Sequence, residues 1–156
     1  MIKIVRDRLI NYSKIVNFKI IEEHTKETNI YEEYTLLESD YAFLLIIISN
    51  NLDKIIDNLN SINEDMYLRL LEMQHAGKIL DAYIVILTEF IDEIKTFKIE
   101  QNRAVCRKYV VNNIDEINKL SFLPLPKKNY ENFKEIHKKF MTEFLSIYTK
   151  YEKFVN

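Results

Sequence analysis

The sequence predicts an all-α fold, a single-domain helical bundle of about five helices spanning residues 1–156, and three observations predict it. Glycine and proline fill only one and two of the 156 positions, too few for the tight turns of a β-sandwich or a doubly wound α/β sheet. Apolar residues return at steps of three and four through most of the chain, the period of helices that bury one face. Hydrophobic residues at 47% and charged residues at 29% describe a globular chain rather than a disordered one. Spacing near 3.5 suits shallow bundle crossings of about 20°.

The elements follow in order. Residues 1–20 are amphipathic through Ile2, Val5, Leu9, Tyr12 and Val16 and read as a helix. Residues 22–29, EEHTKETN, read as a polar connector. Residues 31–60 carry Tyr34, Leu37, Tyr41, Leu44, Ile48 and Ile55 on one helical seam, interrupted by Asn51 and Asn58. Within them the unbroken apolar run AFLLIII at 42–48 predicts a helical stretch surrounded by partners. Ser61, with Glu64 three residues later, resembles a capping box opening a long helix over 62–98. On that helix Met66, Met73, Ala76, Leu80, Tyr83, Leu87, Phe90, Ile94 and Phe97 form the core seam. Gly77 lies in the row beside it, where a missing side chain suits close approach of another helix. Residues 103–120 read as a further helix, although their β-branched residues also suit a strand. SFLPLP at 121–126 is a loop, since each proline drives its predecessor out of the α region. A last helix over 129–154 has His137 on its seam between Phe133 and Phe140.

Bulk properties exclude several function classes. The formal net charge of −2 provides no general field for nucleic acid or an anionic membrane. A single cysteine, Cys106, cannot close an internal disulfide and fits a reducing compartment; a buried, inert thiol is expected. The N-terminus lacks the apolar core of a secretory signal, and the run 42–48 falls far short of the ~20 residues that span a bilayer. A cytoplasmic protein is expected. The abundance of Ile, Lys, Asn, Tyr and Phe matches AT-rich codons, and so a virus, phage or AT-rich bacterium as the source.

Candidate chemistry is sparse. Three histidines and one cysteine do not cluster, so no metal is expected. The E-x-x-H at Glu72–His75 lacks the second copy that a di-iron bundle needs, because His137 follows Glu135 at the wrong spacing. No phosphate-cradling or dinucleotide loop can be built with one glycine, and no cofactor is expected. His75-Ala-Gly-Lys78 resembles the H-x-x-K of histidine phosphotransfer domains, which implies an exposed phosphate-accepting imidazole steadied by Lys78. The pattern departs at Ile79, where that family places glycine. Lysines 127, 128, 134, 138, 139, 150 and 153 offer a nucleic-acid reading, diluted by Glu131, Glu135, Glu143 and Glu152.

The expectation that weighs most is protein binding. Leu68, Leu71, Ala82, Val85 and Ile86 lie off the core seam of the 62–98 helix and form a second apolar stripe. A helix apolar on two sides is central in a bundle or half-exposed at an interface. The sequence thus predicts a non-catalytic module, an adaptor, inhibitor or regulator, whose partner is a second copy (a homodimer) or a foreign protein.

Overall fold

Ala42–Ile48 is not a helix but the central strand of a five-stranded mixed sheet. That sheet overturns the all-α, helical-bundle expectation. The computed structural model describes residues 1–24 and 33–120, together with Thr142. The chain divides into two compact units, residues 1–121 and 122–156, and the description concerns the first. The predicted loop at 121–126, the helix at 129–154, His137 and the lysines from 127 onward lie outside the described residues.

Helix α1 (Ile2–Ile15) leads into strands β1 (Lys19–His24), β2 (Glu33–Glu38) and β3 (Ala42–Ile48). Helices α2 (Leu52–Asp57) and α3 (Leu59–His75) precede β4 (Asp81–Leu87). Helix α4 (Glu93–Glu100) precedes β5 (Arg107–Val111), and a 3-10 turn follows at Ile114–Lys119. The strands lie in chain order. β1, β2 and β3 form an antiparallel meander, whereas β3–β4 and β4–β5 are parallel. Parallel neighbours require crossovers, and the crossovers are the helices.

Every residue of β3 is buried, because the strand has a neighbour on each edge and a covered layer on each face. Strands buried on both faces read as continuous apolar runs, and such a run has no period to separate it from a buried helix. Phe43, Leu45 and Ile47 join Leu36, Ala82, Ile84, Ile86 and Val110 in one core with Leu52, Ile55, Leu59, Ile62 and Met66 of α2 and α3 and Ile99 of α4. Leu44, Ile46, Val85 and Leu87, also buried, point to the opposite face, where α1 packs on β3 and β4 through Ile2, Val5 and Leu9. Burial of each such side chain stabilises the fold by about 1.5–3 kcal/mol.

Helix stops explain the other departures. The long helix predicted over 62–98 is three elements: α3, β4 and α4. It ends because Gly77 has φ 84, its N–H donates to the Gln74 carbonyl (3.0 Å), and the Lys78 N–H donates to the Met73 carbonyl (2.9 Å). This is a Schellman motif, with glycine at the first position past the cap. A Cβ built on Gly77 meets nothing within 4 Å, so close helix approach is not its role. α1 ends the same way: Asn17 at φ 69 donates to Lys14 O, and Phe18 to Ser13 O. Asn51 caps α2, its side chain accepting from the Lys54 N–H at 3.1 Å, and the Asn58 side chain donates back to Lys54 O at 2.8 Å. Ser61 lies inside α3 rather than at its start. The segment 103–120 contains β5, whose partner β4 had been assigned to a helix.

Candidate protein interface

The five residues of the predicted second stripe do not share a surface. Leu68 is exposed on α3 and Leu71 is half-buried, but Ala82, Val85 and Ile86 belong to β4 and are buried in the sheet. Strand alternation sends Val85 to one face and Ala82 and Ile86 to the other. His75 is the last residue of α3, and Lys78 follows the glycine turn. Both are exposed, yet the helical face that was to align them ends between them. Among the described residues no group of three His, Cys, Asp or Glu side chains is placed to hold a metal.

Exposed apolar side chains also stand on α4 and in the segment that leads into it. The sequence FIDEIKTF at 90–97 starts the helix at Asp92, whose carboxylate accepts from the N–H groups of Ile94 (3.0 Å) and Lys95 (3.1 Å). With that start, Ile99 points into the core while Phe90, Ile94 and Phe97 point to solvent, at 71%, 70% and 64% exposure, with Ile91 beside them at 37%. The spacing assigned Phe90, Ile94 and Phe97 to a core seam. Only Ile94 and Phe97 are helical, Phe90 precedes α4, and all three face solvent rather than the core, because β4 intervenes and resets the phase. The face is held firmly: Lys95 forms an ion pair with Asp53 of α2 at 2.9 Å, and the Glu100 carboxylate accepts from the Val110 N–H of β5 at 3.0 Å.

A strained loop adjoins α4. Val105 has φ 67, rare for a β-branched residue, and the Cys106 N–H reaches back to the Ala104 carbonyl at 2.7 Å. A three-residue turn with positive φ is rare and strained. Lys108, 2% exposed, supports it from beneath. Its ammonium donates to the main-chain carbonyls of Asn102, Ala104 and Cys106 and to the Asn102 side chain, at 3.0–3.2 Å. The Asn102 side chain also accepts from Asn63 of α3 at 3.2 Å. Burial lowers the Lys108 pKa, and burial pushes the Cys106 thiol up to about 11, the opposite of a reactive cysteine.

At the other end of the sheet, Tyr34 donates to Glu22 at 2.7 Å, and Arg69 of α3 bridges Glu22 (2.9 Å) and Asp65 (3.4 Å). His24 stacks on Tyr34 with ring centroids 5.7 Å apart. Burial first, then the Glu22 hydrogen bond, raises the Tyr34 pKa to about 12; the same bond is the largest cause lowering that of Glu22. This network ties the edge strand to α3. Sequence separation hid it, since nothing local links residues 22, 34 and 69.

Residues 11–142 match the family model MComp1, the ABC-three component (ABC-3C) system Middle Component 1. The chain belongs to this family. The family is one component of a multi-protein ABC-3C system, which is consistent with protein partners. The crystal structure of the small subunit (R.BspD6I2) of the heterodimeric restriction endonuclease R.BspD6I is 22% identical, with 67% of this chain and 55% of that chain covered and a TM-score of 0.36. The middle component thus spans about half the length of that subunit, and so loose a superposition carries neither mechanism nor activity across. No curated protein matches. No helix among the described residues is long and apolar enough to cross a membrane.

Proposed function

We propose that this middle component is a non-catalytic interaction subunit that acts in the cytoplasm and docks another protein component of its own ABC-3C system on the outer face of α4. The observation that carries the reading is the set of exposed or half-exposed large apolar side chains Ile94 and Phe97 on the tethered helix α4 and Phe90 and Ile91 in the segment that leads into it. Contiguous apolar patches are rare on monomeric proteins and are favourable only when covered. Exposed Ile94 and Phe97, three residues apart on α4, with Phe90 just before the helix, suit an amphipathic helix or apolar groove on the partner. Membership of a multi-component system's family supports a protein partner. Large apolar side chains rimmed by charged neighbours such as Glu93 and Lys98 are the common anatomy of an interface centre.

The test is co-expression of the chain with the other components of its system, with a tag on the chain. The wild type retains a partner component through size-exclusion chromatography, and Ile94→Asp loses it while keeping its circular dichroism spectrum. A wild type that doubles in mass alone, with Ile94→Asp monomeric, would assign the face to a second copy instead. Unchanged partner retention by Ile94→Asp and Phe90→Ser rejects α4 as the docking face.

A further inference from the structure

We propose that the groove between the last turn of α4 and strand β5 binds a phosphate monoester, with the Arg103 and Arg107 guanidiniums on the phosphoryl oxygens and Phe97 and Tyr109 flanking an attached aromatic group. The groove has a volume of about 310 Å³, near the lower end for small-ligand sites. Its lining carries three cations, Arg103, Arg107 and Lys108, against one carboxylate. That carboxylate, Glu100, is turned toward β5, where it accepts the Val110 N–H at 3.0 Å. Neither arginine forms an ion pair or hydrogen bond among the described residues.

Lys108 adds the second half of the argument. All four of its hydrogen bonds go to carbonyl oxygens, so none of them supplies a countercharge to a buried ammonium. Buried charges are ordinarily paired. The missing negative charge is what an anion in the adjoining groove provides. The surplus of cations suits a phosphate monoester, which carries about −1.5 to −2 at neutral pH. Strand alternation turns the Lys108 main-chain N–H toward the same open edge as that of Val110, adding a donor.

The geometry is preorganised. Val105 is fixed in its strained turn, and Lys108 and Asn102 anchor the loop, so the two arginines project from a rigid strap. On its far side the strap also lines a second groove of about 480 Å³, but Asp81 stands there as a competing anion. Arginine forks recognise phosphate oxygens in pairs, and exposed aromatic faces stack on bases. AMP and inorganic phosphate are therefore the informative probes.

The experiment is isothermal titration of the full chain with inorganic phosphate and with AMP at low salt. Saturable binding of both is expected, with AMP about tenfold tighter, the increment that one stacked base contributes. Arg103→Ala and Arg107→Ala, at exposed positions, should each weaken both ligands by about tenfold or more with an unchanged circular dichroism spectrum. Phe97→Ala should abolish only the AMP advantage. Ile94→Asp, which disables docking, should bind AMP like the wild type, so this site and the docking face fail separately. No saturable binding of either probe at millimolar concentration, or arginine variants that bind like the wild type, overturns the site. Equal affinities for AMP and phosphate overturn the aromatic half.

Discussion

Gly77 shows how one residue can be read correctly for its type and wrongly for its place. Inside a helix, glycine to alanine stabilises by about 1 kcal/mol. At the φ of 84 found here, alanine must adopt a left-handed backbone, and Gly77→Ala should cost about 1 kcal/mol although nothing obstructs the new methyl. Urea denaturation decides the sign, and a stabilised variant would restore the continuous helix. The signals were present: histidine in the last turn and the chain's one glycine just past it are helix-stop features. The unbroken three-and-four spacing on either side concealed them. Lys108 makes a second prediction at this scale. Lys108→Met leaves the carbonyls of Asn102, Ala104 and Cys106 without their donor and should cost about 2 kcal/mol. It should also open the loop to trypsin at Arg103, which mass spectrometry of early fragments would reveal. An intact loop in that variant would mean the strained turn supports itself.

Among the elements, α1 was legible, because an exposed amphipathic helix carries its own period and ends by the same left-handed device at Asn17. The strands were not. β3 is covered on both faces and β4 nearly so, and a run buried all round has no polar positions to mark its period. β5 carries β-branched valines, a correct strand signal, but its pairing partner emerges only once β4 is recognised as a strand. Pairing is a long-range property that local spacing does not encode. The β1–β2–α3 network yields a prediction with a defined sign. Tyr34 is held protonated up to about 12 in the fold, above its ordinary 10.0, so its contribution is complete below pH 10 and disappears as pH rises through about 12. Alkaline unfolding of the wild type should steepen across that window. Burial also raises Tyr41 and Tyr83, which act in the same direction, so Tyr34→Phe should flatten the loss in part. The same variant removes the bond that holds Glu22 below its usual range and should reduce the loss of stability on acidification below pH 4.5. Identical alkaline profiles for the two proteins would show that the Tyr34–Glu22 bond carries no stability.

At the scale of the molecule, the scarcity of glycine argued for helices, yet the sheet forms with few glycine turns. Its parallel half is connected by helices, and the turn between β2 and β3 is closed by Ser39, whose hydroxyl accepts from the Ala42 N–H at 3.1 Å. The expectation of protein partners is consistent with membership of a family that is one component of a three-component system. It named residues that the sheet buries, and the exposed candidates are those once assigned to the core. The face of α4 carries the functional reading, and one measurement bears on it most directly: recovery of the other system components with tagged wild-type chain and with Ile94→Asp, compared by size-exclusion chromatography. A partner component that co-elutes with the wild type and is absent from the folded variant is the predicted result. Equal recovery with both proteins would contradict it.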